Sequence, residues 1–340
     1  MRRIIYFLLA GALLLTGTAS SCEKRPNPDG PENGGRINPS TTTLLELCNM
    51  KIAEYGNDAS IPTSHVFICA HRANTYSSSK KQIPENSVRN IEEAIAQGAD
   101  MVEIDVRATS DGVLVLMHDE KVDATTNGTG KVAEMTFEQL RALSMKHRKA
   151  TMPYREDGKE IRVPTLKEAL LACKGKIYVN LDVKGTTPEA LLSVVRETGM
   201  LDQVMIYGFS ISAQKECIRW AYENAGKWVA VHPYINKLED YASYVNDFYG
   251  CAKLFQYPYS VFYDGTTERF GYKCHELGLL SYSNSLDYDS EIRTWYTTFY
   301  ANDIDAPCRV LDQFIASGSD FVQTDVTELA HLYLKAKGLR

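Results

Sequence analysis

The chain has 340 residues, 44% hydrophobic and 24% charged, with a net charge of -6. This size allows one large α/β barrel or two ordinary domains. The acidic balance, with no lysine/arginine stripe interleaved with aromatics, excludes the electrostatic footprint of a nucleic-acid partner. At the N-terminus Arg2 and Arg3 precede an apolar run over 4–15, followed by small residues over 16–21 and then Cys22. This pattern predicts an export signal rather than a membrane span, because the run is too short and has the wrong flanks. The next stretch, EKRPNPDGPENGG, is too rich in Pro, Gly and Asn to bury a core, and it predicts a tether. The expected organisation is a signal over 1–21, a tether over 22–40 and one folded domain over 41–340.

The small residues directly before Cys22 resemble a bacterial lipoprotein signal. That resemblance implies cleavage before Cys22, acylation of its thiol, and a lipid-anchored protein of the cell envelope, periplasmic or outer-membrane associated. The seven other cysteines, at 48, 69, 173, 217, 251, 274 and 308, show no CxxC spacing. They are expected to be buried free thiols.

Past the tether, strands alternate with helices. Strands are predicted over 65–70, 101–108, 113–118, 176–184, 204–210, 228–234, 252–259, 279–284 and 321–325. Helices are predicted over 85–98, 166–173, 188–199, 213–225 and 267–277. Repeated βα units imply a mainly parallel sheet, and the strand count suits a (β/α)8 TIM barrel. A doubly wound open sheet is the alternative, weakened because no Gly-rich turn follows the first strand. One connection breaks the βα rhythm. Asp111-Gly112 between apolar runs signals a β-hairpin. A two-residue turn there would set Asp105 opposite His118, and a bulged three-residue turn would slip the register by one. The segment over 120–161, with TTNGTG and the polar loop KHRKATMPYREDGKE, reads as an excursion beside the barrel mouth.

In a barrel of this kind, functional groups collect at the C-terminal ends of the strands. His71 and Arg72 follow the first strand, Glu103 and Asp105 lie on the second, His118 ends the hairpin, and Asp182 and Lys184 end the next strand. A lone strand histidine is commonly structural, and ExD is commonly a solvated face. Here Met101, Val102, Ile104 and Val106 flank the carboxylates and oppose that reading. Gathered carboxylates raise one another's pKa unless a cation joins them, and all-oxygen ligands favour Ca²⁺ or Mg²⁺ over zinc. Two histidines beside such a site suit acid–base work, and Arg72 and Lys184 suit an anionic group. The set points to phosphoryl chemistry.

The run "AHRA…IPENSVRNIEEAIAQGADMVEIDVRATSDGVLVLMHDE" resembles the signature of the glycerophosphodiester phosphodiesterase family, and the similarity continues in "VPTLKEALLA", "VNLDVKG" and "SGSDFVQTDV". The resemblance implies a TIM barrel and hydrolysis of a small-molecule glycerophosphodiester to sn-glycerol 3-phosphate and an alcohol. It implies catalytic roles for His71 and His118, with His118 favoured as base and His71 as acid. Metal ligation would fall to Glu103, Asp105 and Asp182, holding one Ca²⁺ or Mg²⁺. Phosphate contacts would fall to Arg72 and Lys184, with Glu85 and Asn86 at the substrate rim. Ala73 departs from the family's usual glycine and penalises any positive φ there. Asp182 replaces the usual glutamate and is one methylene shorter, the loop over 74–83 is longer, and Tyr282 stands where a tryptophan is usual. The rival expectations are a phospholipase C-like diesterase forming a cyclic phosphate, and a non-catalytic binder of phosphorylated headgroups or glycans. His232, before Pro233, is expected at a strand end near the mouth.

Overall fold

The computed structural model describes residues 37–73, 83–148, 150–233, 248–256, 270–284 and 305–340. The signal, Cys22, most of the tether, most of the loop after Ala73 and the stretches 234–247, 257–269 and 285–304 lie outside the described residues. Among the described residues, no helix is long and apolar enough to cross a membrane.

Helix α1 (Leu44–Tyr55) opens with a capping box between Thr43 and Glu46. It leads to strand β1 (Phe67–Ala70), helix α2 (Val88–Ala96), strand β2 (Met101–Ala108) and strand β3 (Leu114–Leu116). The excursion holds the short helix α3 (Phe137–Arg141) and the two-stranded β4 (Arg155–Glu156) and β5 (Lys159–Glu160). Regular alternation then resumes with α4 (Leu166–Cys173), β6 (Tyr178–Gly185), α5 (Pro188–Thr198), β7 (Val204–Tyr207), α6 (Ile211–Ala225) and β8 (Ala230–Val231). Strand β9 (Leu254–Gln256), α7 (Phe270–Glu276), β10 (Leu280–Asn284), α8 (Asp305–Ala316), β11 (Phe321–Thr324) and α9 (Thr327–Ala336) complete the described elements.

Eight parallel strands run in the order β8-β7-β6-β2-β1-β11-β10-β9. A parallel bridge between Val231 and Ala252 joins the two ends of that order. The fold is therefore the expected α/β barrel. Its two apolar layers follow from the period-two alternation of the strands. Val102, Ile104, Val106, Val179, Leu181 and Val183 pack outward beneath the helices. Phe67, Cys69, Met101, Tyr178, Met205 and Phe321 fill the barrel interior. By the same alternation Glu103, Asp105 and Asp182 share the inward face with Met101 and Tyr178, nearer the C-terminal ends. Burial of both faces explains why these strands read as near-continuous apolar runs interrupted only by the site residues.

Two local expectations are corrected. Helix α2 begins at Val88 rather than at 85, because Ser87 caps it by accepting from the Asn90 amide and Asn86 sits at φ 55. The hairpin takes the slipped register: Val106 faces Leu116 and Ala108 faces Leu114, so Asp105 meets Met117 rather than His118. The Met117 amide donates to the Asp105 carbonyl at 3.0 Å. The cause is a three-residue loop, 110–112, closed by Thr109 and Val113 and ending in Gly112 at φ 80.

Candidate active site

Register places the two histidines. Strand β1 pairs with β2 only as far as Ala70 opposite Val102, and β3 takes the same edge of β2 from Val106 onward in the opposite direction. The other edge of β2 is filled by β6 throughout, with Asp105 level with Asp182. His71, one residue past β1, and His118, two past β3, are therefore carried to the same edge of β2, beside Glu103–Asp105. The slip moves His118 off the ladder but not from this edge of β2, where its carbonyl accepts from Arg107 Nε at 3.0 Å and Nη2 at 2.8 Å.

His71 lies in a tight turn that also holds Arg72 at φ 53 and ψ 30. Ala73 follows at φ 50, so the positive φ anticipated for that position is present. Two consecutive L-residues in the left-handed region cost roughly 1–2 kcal/mol each. The strained turn aims the Arg72 amide at Glu103, whose Oε2 accepts it at 2.7 Å. The Arg72 carbonyl accepts from the Asn86 amide at 2.8 Å. The Nδ1 of His71 is 2.8 Å from Asp325 Oδ1, a residue at the end of β11.

Carboxylate oxygens of Glu103, Asp105 and Asp182 lie within 4.8 Å of one another. Glu103 and Asp105 are buried. Burial, then the charges of Asp105 and Asp182, push the Glu103 carboxyl well above its usual range. Burial and Asp105 raise Asp182 as well, against the opposing charge of Lys184. Lys184 Nζ is 2.6 Å from Asp182 Oδ2 and 3.4 Å from Asp105 Oδ1, and Arg72 Nε is 3.7 Å from Asp105 Oδ2. Asn86 sits beneath the rim. Its Nδ2 donates to Asp105 Oδ2 at 2.8 Å and its Oδ1 accepts from the Asp105 amide at 3.0 Å. Three anionic oxygens gathered without sulfur or imidazole form a donor set that fits a hard divalent cation.

Three residues of the site are not evident from sequence. Asp325 lies in the run SGSDFVQTDV, 141 residues beyond Lys184, and the resemblance carried by that run assigns it no role. Gly208, at φ 85, has no Cβ where one would lie 2.5 Å from the Val183 carbonyl oxygen and 2.7 Å from Asp182 Oδ1. Arg148, in the polar loop of the excursion, reaches both Glu85 and Asp119. Two other expectations end elsewhere. His232 is buried between the rings of Tyr207 and Tyr282 rather than open to the mouth, and burial lowers its pKa to about 3. Tyr282 is fully buried and hydrogen-bonds Gln323.

Fold and site together define a closed α/β barrel with a carboxylate triad and two histidines at its C-terminal mouth. Residues 71–216 match the model of the glycerophosphoryl diester phosphodiesterase family. The chain is 41% identical over 125 residues to the mouse protein named glycerophosphodiester phosphodiesterase 1, covering 36% of this chain and 35% of that one. It is 33% identical over 150 residues to a glycerophosphodiester phosphodiesterase of Caldanaerobacter subterraneus, covering 42% and 58%. The chain thus spans between about a third and three fifths of these relatives' lengths. A crystal structure of a glycerophosphoryl diester phosphodiesterase from Parabacteroides distasonis shares the fold, with TM-score 0.62 and 21% identity over 85% of this chain and 92% of that one. So does an Oleispira antarctica phosphodiesterase in complex with the product sn-glycerol-3-phosphate, with TM-score 0.55 and 19% identity over 79% and 96%.

Proposed function

We propose that this chain hydrolyses glycerophosphodiesters to sn-glycerol 3-phosphate and an alcohol, with metal assistance, in the cell envelope, where acylated Cys22 anchors it. The reading rests on the strand register, which carries His71 and His118 to one edge of β2, and on the gathered carboxylates of Glu103, Asp105 and Asp182, all within the stretch that the family model matches. The matching relatives named for this activity support it. Glu103, Asp105 and Asp182 would hold Ca²⁺ or Mg²⁺, which when bound supplies charge neutralisation for the phosphate. His118 takes a proton from the attacking water, or from the substrate's vicinal alcohol, in which case a water then opens the cyclic phosphate so formed to give sn-glycerol 3-phosphate. His71 gives one to the departing alkoxide as the phosphorus–oxygen ester bond breaks. Arg72 and Lys184 hold the anionic phosphate.

The test is turnover of a glycerophosphodiester panel by purified protein with Ca²⁺, Mg²⁺ or EDTA, with products identified by phosphorus NMR. Metal-dependent release of sn-glycerol 3-phosphate is expected. Loss of about 10²–10⁴-fold is expected in His71→Ala and His118→Ala. A cyclic phosphate as end product would instead mark intramolecular attack without hydrolysis, and no rate with any cation would leave a binding protein.

A further inference from the structure

We propose that Arg148 is a positioning residue for this reaction, which makes the excursion after β3 a working wall of the active site; the inference rests on the function proposed above. The hairpin register is the starting point. Strand β3 ends at Leu116, so no ladder bond holds His118 in place. Two arginines hold it instead. The His118 carbonyl accepts from Arg107 Nε at 3.0 Å and Nη2 at 2.8 Å. Its Nδ1 is 2.7 Å from Asp119 Oδ1.

Asp119 is a neighbouring side chain on an irregular turn and needs an anchor of its own. Arg148 supplies it, donating from Nη1 to Asp119 Oδ2 at 2.7 Å and from Nη2 to Oδ1 at 3.2 Å. The same guanidinium donates from Nη2 to Glu85 Oε1 at 2.7 Å and from Nε to Oε2 at 3.2 Å. Glu85 in turn accepts from Arg72 Nη1 at 3.0 Å. One planar fork thus joins the support of His118 to that of Arg72, which follows His71. A lysine offers a point charge and cannot grip two carboxylates in this way.

The backbone around Arg148 is tied down. The Met145 amide donates to Ile161 at 2.9 Å, Lys146 to Thr125 at 2.8 Å and Tyr154 to Met145 at 2.9 Å. The β4–β5 hairpin is fastened to α2 by Arg89 Nε on Glu156 Oε2 at 2.7 Å. Arg148 is therefore presented from a braced segment.

The experiment is steady-state kinetics of wild type, Arg148→Ala and Arg148→Lys on a glycerophosphodiester with saturating cation, with and without millimolar guanidinium, and with methylammonium as control. The expected result is a kcat loss of about 10–100-fold in R148A, the scale for removing a group that orients a site residue. KM should change little, guanidinium should restore part of the rate, and methylammonium should not. R148K should remain impaired. A kcat within about threefold of wild type in R148A, or a loss that guanidinium leaves untouched, overturns the inference. Should R148A not fold, R148K carries the test, and wild-type-like kcat there overturns it. Wild type is measured first: if it turns over no diester, the proposed function falls and this inference with it, whereas an active wild type isolates the contribution of Arg148.

Discussion

His71 Nδ1 lies 2.8 Å from Asp325 Oδ1 across 254 residues of sequence, and the Asp325 side chain is wholly buried. An ionised carboxylate only accepts, so Nδ1 carries the hydrogen and Nε2 becomes the nitrogen that exchanges protons with substrate. The ring is thereby fixed in orientation and tautomer. Asp325→Asn keeps the shape but offers an amide that can donate to Nδ1 and select the other tautomer. The expected outcome is a kcat loss of at least about 10–100-fold with KM nearly unchanged. Unaltered kcat would remove Asp325 from the mechanism.

Much of this site is visible in sequence because strands report their own periodicity. Glu103, Asp105 and Asp182 interrupt apolar runs at alternate positions, and that pattern alone puts them on one inward face. What stayed hidden depends on single residues or on distant chain. The hairpin register turned on whether Gly112 closed a two- or a three-residue loop, and the Asp-Gly pair suits both. Arg148 sits in the polar run KHRK, and only tertiary placement brings it to Glu85 and Asp119. Asp325 meets His71 only because β11 pairs with β1, from Phe67 opposite Phe321 to Ala70 opposite Thr324.

Gly208 makes room for the third carboxylate. It follows β7, and at φ 85 a Cβ there would stand 2.5 Å from the Val183 carbonyl oxygen, 2.6 Å from the Val183 amide nitrogen and 2.7 Å from Asp182 Oδ1. The first two are backbone atoms of β6 and yield only if the strand moves. Gly208→Ala should therefore shift Asp182 and add left-handed strain of roughly 1–2 kcal/mol. Cation binding, followed by calorimetry, should weaken more than overall stability suggests. Unchanged cation affinity would show that Asp182 does not depend on this contact.

Glu85 should carry a distinct acid signature. Burial alone would raise its carboxyl, but the hydrogen bond from Arg148 and the charge of Arg72 outweigh burial and hold it at about 2, against an ordinary 4.5. A depressed carboxylate contributes stability that is fully present above its unfolded pKa. That contribution is lost as pH falls from about 4.5 towards about 2. At 1.36 kcal/mol per pH unit the contribution is at most about 3 kcal/mol. Glu85→Gln should flatten the stability curve across this window, measured by urea unfolding at a series of pH values. A mutant whose stability falls as steeply as wild type there would show that the arginine clamp stores no such energy.

The triad predicts the opposite sign for Glu103. Burial and the neighbouring charges of Asp105 and Asp182 raise its carboxyl, so ionising it costs stability as pH rises above the ordinary carboxylate range. A divalent cation competes with that proton. Added Ca²⁺ or Mg²⁺ should therefore raise Tm, and the rise should be larger at about pH 8 than at about pH 6. At about 100 times Kd the stabilisation is about 2.7 kcal/mol. Asp105→Asn removes one anionic ligand and one source of repulsion, so its metal-free Tm should hold or rise while the cation-induced increment shrinks. Differential scanning calorimetry of both proteins at both pH values separates these effects. An increment that survives in Asp105→Asn would place the bound cation away from Glu103, Asp105 and Asp182.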